Sequence, residues 1–418
     1  MSNFNLRKVA RIGVSLLAIV GCAFCILTSA QFGFSRLLSR YGMNTMSLPA
    51  TSAAIRLKPL DAEAHRAQAA AFRNFGMFQQ ARNELEIASS LRPRDDYLWL
   101  ELANTRDELG DVEGALNAFD QAVANAPFYA HTRWQRANLR LRLGRYDEAF
   151  AEMRAAAASN RAFLPTLIDL SWNLSQQNPK LTEQLAGIQS PASRIEFARF
   201  LSRQGKGPET LEQYRLVARN ISPVYKKQLV TQLLAAHIYP EAFEIWRDTN
   251  GTAIPVGPSI YDGGFEGPVS LNEAGFGWRI RQESNLEVSQ DISDHDSGAK
   301  STRVVFNGSP FSRDAVVAQT VYIERPQNYK ISFAIKSRDL VSGGPLVLQV
   351  CDAASDQTLT EFEIPVASDW QRHSLQFTTP QNCRAIELRL ARKECSSSPC
   401  PIFGTLWLDS FSIEQIPQ

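Results

Sequence analysis

The chain has 418 residues, which is enough for two or three domains of ordinary size. Its 44 Lys and Arg residues face 43 Asp and Glu residues, so the formal net charge at pH 7 is +1. The charged residues are interspersed and form no basic stripe, which argues against nucleic-acid binding because that function needs a concentrated positive field.

The N-terminus carries an apolar segment of membrane-spanning length. Residues 12–34 contain no charged side chain, and Arg7, Lys8 and Arg11 precede them. Such a run can cross a bilayer, and positive charge before it favours a cytoplasmic N-terminus. The sequence predicts a basic cytoplasmic segment at 1–11, a single-pass transmembrane anchor at 12–34 in a bacterial inner membrane, and a body in the periplasm or outside the cell.

Two alternatives for this segment also export the body. Thr28, Ser29 and Ala30 form a small-residue site of the kind cleaved in signal peptides, and Cys22 follows a lipobox-like stretch. The uncleaved anchor is favoured because the apolar run continues well past Cys22 and is long for a signal peptide. Residues 35–54 are then expected to form a linker.

Five columns of residues recur every 34 positions in the next part of the chain. They are Gly76, Gly110 and Gly144; Ala81, Ala115 and Ala149; Ala88, Ala122 and Ala156; Pro59, Pro93 and Pro127; and Leu85, Phe119 and Met153. In each unit the glycine ends the first of two amphipathic helices, and the small alanines let the second helix pack closely against the first. The period predicts a helical repeat.

Residues 62–161 resemble tetratricopeptide repeats, because glycine, alanine and proline fall at that family's positions. The usual tyrosine inside the first helix is replaced by Arg106. More degenerate units follow, and residues 55–250 accommodate about five or six units in all. The resemblance implies an α-solenoid of helix hairpins over 55–250 that binds a protein partner in its groove.

The first helix of each unit lines the groove in this family. Helical phase places Tyr97 and Asn104 of the second unit on that face, together with Trp134, Asn138 and Arg142 of the third. Asn104 and Asn138 again differ by one period, and the resemblance implies that such asparagines bind the backbone of an extended peptide. The alternative is an ordinary solvated helix face.

The composition changes near residue 251, where a linker rich in Pro and Gly at 251–258 follows the helices. Beyond it, eight short segments alternate polar and apolar residues or carry β-branched and aromatic residues between turn clusters. They are 301–306, 315–323, 329–336, 346–351, 360–364, 371–378, 385–391 and 405–413. Eight strands predict an all-β sandwich over 259–418.

The order of short motifs in this region resembles that of jelly-roll carbohydrate-binding modules, which are galactose-binding-like domains. The region opens on Asp-Gly-Gly-Phe-Glu at 262–266 and closes on a strand with Trp407 and Asp409. The resemblance implies glycan binding and a structural calcium ion, for which Glu266 and Asp409 are the candidate carboxylate ligands. The alternative is that these carboxylates make only hydrogen bonds.

Sugar binding needs an aromatic platform, because the apolar face of a pyranose stacks on a flat ring. The candidate rings are Trp278, Phe311, Tyr322, Tyr329 and Trp370, of which Trp278, Tyr322 and Tyr329 are the preferred glycan-binding residues. Large aromatic side chains in a sandwich more often belong to its core, so a minority of the five is expected to face a ligand.

Four of the six cysteines lie in the last third of the chain, namely Cys351, Cys383, Cys395 and Cys400. Four thiols in one exported domain predict two disulfides in one of three connectivities. Pairing of Cys395 with Cys400 and of Cys351 with Cys383 is favoured because the first pair brackets a short loop. A zinc site is the alternative, disfavoured because these four cysteines include no Cys-x-x-Cys pair.

No motif for catalysis is recognisable, and Ser297 with Lys300 matches a Ser-x-x-Lys pattern only formally, because it precedes a strand instead of starting a helix. The sequence therefore predicts a non-enzymatic, membrane-anchored envelope scaffold. Its repeats would bind a protein partner and its last domain a glycan, in the synthesis or export of a cell-surface polysaccharide. The alternatives are a purely protein-directed assembly factor and, less favoured, a carbohydrate-active enzyme.

Overall fold

The structure is a computed structural model that describes residues 2–219, 221–250, 257–268, 273–281, 286–310, 315–395 and 400–417. Within these ranges, fourteen α-helices are followed by ten β-strands. The chain divides into two compact units, Met1–Leu174 with Leu185–Gly187, and Ser175–Gln184 with Ile188–Gln418. Most of the predicted linker at 251–258 lies outside the described residues.

The first unit is built from helix hairpins. Its helices are α1 (Ser2–Thr45), α2 (Leu48–Leu57), α3 (Ala62–Asn74), α4 (Phe78–Leu91), α5 (Asp96–Glu108), α6 (Val112–Asn125), α7 (Ala130–Arg142), α8 (Tyr146–Ser159) and α9 (Leu164–Leu174). The pairs α3/α4, α5/α6 and α7/α8 follow the 34-residue period, which confirms the predicted repeats. The turn glycine Gly110 has a φ of 75°, a conformation that strains any residue with a Cβ.

The N-terminal apolar segment belongs to one long helix. Among the described helices, α1 is long and apolar enough to cross a membrane over Leu16–Thr45, with a mean hydropathy of 1.9. By length and composition, a helix of this kind is either a membrane span or a signal sequence.

The predicted linker at 35–54 is wrong, because this segment is helical. The C-terminal part of α1 packs on α2 through Ser35, Ser39 and Gly42, small residues that share one helix face. Ser35 Oγ donates a hydrogen bond of 3.0 Å to the carbonyl oxygen of Ala54. A Cβ at Gly42 would lie 2.4 Å from Cγ2 of Thr51, so the glycine allows the close approach.

Arg106 occupies the position of the missing tyrosine and links three helices. Its Nη2 donates to Oε1 of Glu86 on α4 at 2.9 Å, and its Nη1 donates to the carbonyl oxygen of Gly114 on α6 at 3.0 Å. The bond to Glu86 joins neighbouring hairpins and the bond to Gly114 joins the two helices of one hairpin, which explains why the repeat tolerates the substitution.

The turn before each of α3, α5 and α7 has the same geometry. The backbone N–H groups of Asp61, Asp95 and Tyr129 each donate a 3.1 Å hydrogen bond to the carbonyl three residues earlier. The side chain six residues after each turn proline donates to that proline's carbonyl, which gives the pairs His65–Pro59, Trp99–Pro93 and Arg133–Pro127. A hydrogen bond to Glu84 raises the pKa of His65. The three turns are therefore held in one conformation.

The second unit starts with helices and ends with strands. Its helices are α10 (Pro179–Ala186), α11 (Pro191–Arg203), α12 (Gly207–Val217), α13 (Pro223–Ala235) and α14 (Tyr239–Asn250). Its strands are β1 (Trp278–Ile280), β2 (Leu286–Asp291), β3 (Ser301–Pro310), β4 (Val317–Tyr322), β5 (Asn328–Ser342), β6 (Leu346–Asp352), β7 (Thr358–Glu363), β8 (Ser368–Thr378), β9 (Ala385–Arg392) and β10 (Pro401–Ile416).

The strands form two antiparallel sheets of a jelly-roll sandwich. The first sheet has the order β1-β4-β9-β6-β7, and the second sheet has the order β2-β3-β10-β5-β8. The eight predicted segments coincide with β3 to β10, whereas β1 and β2 were not predicted. The core between the sheets is made of alternating inward residues such as Val304, Ile331, Val350, Leu388 and Leu406.

One predicted disulfide is present and the other is not. Cys395 and Cys400 form a disulfide with their Cα atoms 6.2 Å apart. Cys351 and Cys383 are buried free thiols, so the prediction that they pair is wrong. The register places Cys351 opposite Glu387 on the outer face of the first sheet, whereas Cys383 belongs to the core between the sheets. Burial raises the pKa of Cys383 to about 11.

Candidate functional site

The five predicted groove residues lie on α5 and α7 in the first unit. Asn104, Trp134 and Asn138 are half-buried, whereas Tyr97 and Arg142 are exposed. The ring of Trp134 stacks on that of Phe163 with a centroid separation of 4.9 Å. The first helices of two successive hairpins therefore present these residues at accessible positions, as helical phase predicts.

Charged residues on this face are paired between neighbouring helices. Arg66 on α3 donates from Nε to Oε2 of Glu101 on α5 at 3.1 Å, and its guanidinium lies 4.5 Å from the ring centroid of Tyr97. Burial raises the pKa of Glu101 against the opposing effect of Arg66. Arg142 on α7 forms an ion pair with Asp107 on α5. Hence much of the charge on this face is already neutralised within the repeats.

The side-chain amides of Asn104 and Asn138 make no hydrogen bond to another residue in the part of the chain that the structure describes. An amide carries two N–H donors and one carbonyl acceptor. Two such groups, one repeat apart on adjacent first helices, can bind both kinds of backbone group of an extended peptide.

Two of the three preferred glycan-binding rings are buried and offer no free face to a sugar. Trp278 and Tyr329 are 8% and 1% exposed. Trp278 Nε1 donates to the carbonyl oxygen of Asp262 at 3.0 Å, and the Tyr329 hydroxyl donates to that of Arg325 at 2.6 Å. Burial raises the pKa of Tyr329. Both rings are structural parts of the sandwich core.

Tyr322, the third predicted ring, is half-buried and packs against the helices of the second unit. It stacks on Phe243 of α14 with centroids 4.9 Å apart. Trp246 of α14 continues this contact, with its ring 5.7 Å from that of Phe276 and its Nε1 donating to Oε1 of Glu273 at 3.0 Å. The last helix hairpin and the first sheet thus share one aromatic core.

The sequence offers two further candidate rings, Phe311 and Trp370. Phe311 lies outside the described residues. Trp370 is half-buried, and its Nε1 donates a hydrogen bond of 2.8 Å to Oδ1 of Asp294. The ring of Trp370 is therefore fixed by an internal contact.

A row of polar side chains crosses the outer face of the first sheet, and sequence reasoning missed it. Nε of Arg389 on β9 donates a hydrogen bond of 3.2 Å to Oε1 of Gln349 on β6, and Nη1 of Arg389 lies 3.4 Å from Oε2 of Glu387. Nε2 of Gln349 donates a hydrogen bond of 3.2 Å to Oε2 of Glu361 on β7. Arg279 on β1 forms an ion pair with Glu387. Alternating charged residues in β7 and β9 were the available signal. We call these five residues the polar row.

An acidic loop ties the strands of the second sheet together. Asp291 accepts a hydrogen bond of 2.9 Å from Nε1 of Trp407, and hydrogen bonds from Ser293 and Trp407 lower its pKa to about 2. Asp294 lies 2.9 Å from Nζ of Lys336. These carboxylates anchor the loop that precedes β3. Asp291 attaches it to β10 and Asp294 attaches it to β5, which is a structural role.

The two candidate calcium ligands lie near Gly264, where a Cβ would be 3.7 Å from Cγ of Glu266 and 3.9 Å from Oδ1 of Asp409. Their oxygens accept backbone N–H groups. Glu266 Oε1 accepts from Ala299 at 2.8 Å. Asp409 Oδ2 accepts from Asp296 and Ser297 at 2.8 and 3.0 Å. Among the described residues, no group of three or more acidic, His or Cys side chains is placed to hold a metal ion. Calcium prefers six to eight oxygen ligands, so this donor set does not fit it.

No protein-family model matches the chain. The protein FlbA of Caulobacter vibrioides is 28% identical over 155 residues, 37% of this chain, and the match spans 22% of FlbA's own length. A solved structure described as "CBM4 structure and function" is 16% identical with a TM-score of 0.29, covering 38% of this chain and 99% of its own. A solved structure of the MamA protein is 14% identical with a TM-score of 0.32, and the match covers 47% of this chain and 98% of the MamA chain. By the geometry described above, the chain joins tetratricopeptide-type helix hairpins to a jelly-roll β-sandwich similar to carbohydrate-binding modules.

Proposed function

We propose that this protein is a non-enzymatic, membrane-anchored scaffold of a bacterial envelope whose repeats bind an extended segment of a partner protein. The observation that carries the proposal is the pair Asn104 and Asn138, one repeat apart and without a hydrogen-bond partner among the described residues. Buried polar groups are expected to be hydrogen-bonded, so a ligand that covers this face must satisfy these amides. A peptide backbone supplies donors and acceptors at regular intervals.

The surroundings of the two asparagines favour recognition through the backbone. Arg142 is paired with Asp107, and Arg66 is paired with Glu101, so neither cation is free to attract a polyanion. Trp134 adds a half-buried ring that can cover an apolar side chain of the ligand. The expected ligand is therefore an extended segment with little net charge.

A photo-crosslinking experiment tests this proposal. The full chain, produced in its own cells, carries benzoylphenylalanine in place of Asn104, or in place of Tyr146 as the control. Tyr146 is exposed at the start of α8, a second helix. We expect a protein adduct at position 104 that is absent at 146. Asn138→Ala should reduce this adduct about 3- to 10-fold, as loss of a hydrogen bond predicts. Identical adducts at both positions would contradict groove binding.

The polar row favours glycan binding as a second candidate function. Guanidinium, amide and carboxylate groups in one plane can bind the hydroxyls of a polysaccharide without a stacking ring. The resemblance of the sandwich to carbohydrate-binding modules makes this face the best candidate within the described residues. A scaffold with both functions would serve the synthesis or export of a surface polysaccharide.

Binding of the full chain in nanodiscs to a panel of polysaccharides tests this second candidate. We expect a polymer whose affinity falls about tenfold in Gln349→Ala, because one hydrogen-bonding side chain of the polar row is lost. The matched control is Lys330→Ala on the second sheet, where Lys330 pairs with Glu414. Removal of calcium should leave binding unchanged, because the oxygens of Glu266 and Asp409 already accept backbone N–H groups. A folded chain that binds none of the polymers would leave protein binding as the sole function.

A further inference from the structure

The three equivalent turns of the first unit lie side by side along one edge. We call this the turn edge, and it consists of residues 58–61, 92–95 and 126–129. Arg92 Nη2 lies 3.6 Å from Oδ1 of Asp61, which connects the first turn to the second. Asn125 Nδ2 donates a hydrogen bond of 3.0 Å to the carbonyl oxygen of Pro93, which connects the second turn to the start of the third.

The turn edge begins where the apolar part of α1 leaves the hairpins. Arg36 Nε lies 2.8 Å from Oδ2 of Asp61, so the first turn is level with this part of α1. The uncharged run at 12–34 ends two residues before Arg36. Because α1 continues without a break from this contact into the apolar run, insertion of the run into a membrane brings the turn edge to the bilayer surface.

The apex of each turn presents one exposed side chain. Leu60 is 82% exposed and Phe128 is 84% exposed, which makes them the two most exposed large apolar side chains in the described part of the chain. Arg94 is exposed at the equivalent position between them. Single exposed apolar residues are ordinary, but these occupy the same place in a turn that hydrogen bonds hold in one conformation.

The charge of the turn edge suits an anionic surface. Arg94 is exposed on the turn edge, and Arg56 is exposed on α2 just before the first turn. The buried Asp61 carboxylate caps α3 and the Asp95 carboxylate caps α5, and both accept hydrogen bonds from backbone N–H groups. Basic residues beside apolar ones are the pattern by which proteins bind the interface of anionic membranes.

We infer that the turn edge docks on an anionic lipid bilayer, with Leu60 and Phe128 inserted at the acyl boundary and Arg94 at the headgroups. The inference rests on the membrane anchor in the proposed function. Docking fixes the orientation of the first unit, so that the face with Asn104 and Asn138 is held at a constant height above the membrane.

A fluorescent probe on Phe128→Cys tests the inference. The full chain, with Cys22 and Cys25 replaced by alanine, is reconstituted into vesicles of phosphatidylcholine and phosphatidylglycerol and labelled with an environment-sensitive dye. We expect blue-shifted emission and quenching by lipids that carry a nitroxide near the headgroup. Phe75→Cys is the control, because Phe75 is also an exposed phenylalanine but lies at the opposite ends of the hairpins. Leu60→Asp should reduce the docked population about tenfold or more.

Flotation of the same vesicles separates the two ways in which the inference can fail. Protein that floats, with equal emission and quenching at positions 128 and 75, would overturn docking while leaving the anchor in place. Protein that stays in solution would overturn the anchor, and docking with it. Quenching that is absent in vesicles made only of phosphatidylcholine but present in the anionic vesicles would support the role assigned to Arg94.

Discussion

Replacing Trp246 with alanine should lower the free energy of unfolding of the second unit by about 3–5 kcal/mol, the usual cost of removing a buried large aromatic side chain. Trp246 is a buried residue of α14 that packs towards the sandwich. Its ring contacts those of Tyr261 and Phe276, and its Nε1 bonds Glu273. The variant leaves a cavity at this junction and removes one of the hydrogen bonds to the Glu273 carboxylate, so both the helices and the first sheet should lose stability together.

Urea unfolding of the full chain, with hydrogen exchange read separately in α14 and β4, measures this effect. Trp246→Phe is the matched control, because it keeps an aromatic ring and loses the hydrogen bond to Glu273, and it should cost less than half as much. If exchange in α14 accelerates while protection of β4 is unchanged, the helices and the sandwich are not one cooperative unit and the expected coupling is wrong.

The repeats could be predicted from the sequence because their period is a property of the chain itself. A turn glycine, two small alanines and a proline at fixed spacing define a hairpin whatever surrounds it. The order of strands was also accessible through their alternation, except for β1 and β2. Strand β1 has three residues, Trp278–Ile280, which is too short for an alternating pattern.

The orientation of individual rings could not be predicted in the same way. Alternation shows which residues share a face of a strand, but it does not show whether that face meets the other sheet, a helix or solvent. Tyr329 faces the core between the sheets, and Tyr322 faces α14. Gly275 is a further example of a position set by tertiary contact. A Cβ there would lie 2.1 Å from Cδ1 of Trp246, which belongs to a segment distant in the sequence.

The linker predicted at 35–54 is absent for a related physical reason. Ser35, Arg36 and Ser39 are polar residues of this segment that follow the apolar run. In the structure, the serines pack against α2 and Arg36 pairs with buried Asp61. Small polar residues at helical spacing serve helix packing as well as turns, and only the packed neighbour distinguishes the two. The continuity of α1 is what makes membrane docking of the turn edge geometrically possible.

Replacing Tyr329 with alanine should cost about 3–5 kcal/mol of unfolding free energy. The ring is 1% exposed and lies 6.1 Å from that of Phe377, with its hydroxyl bonded to the carbonyl oxygen of Arg325. Urea unfolding followed by the fluorescence of the full chain measures the loss. A glycan platform would behave in the opposite way, because removal of an exposed ring leaves stability within about 0.5 kcal/mol and weakens only ligand binding.

Tyr329→Phe separates the ring from its hydroxyl. It keeps the packing and removes one hydrogen bond, so it should cost about 0.5–1.5 kcal/mol. A polysaccharide that binds the wild-type chain should bind Tyr329→Phe with unchanged affinity, since the hydroxyl points to Arg325 and away from solvent. An alanine variant that unfolds at the wild-type urea concentration but no longer binds the polymer would show that this ring faces ligand, and the assignment of Tyr329 to the core would be wrong.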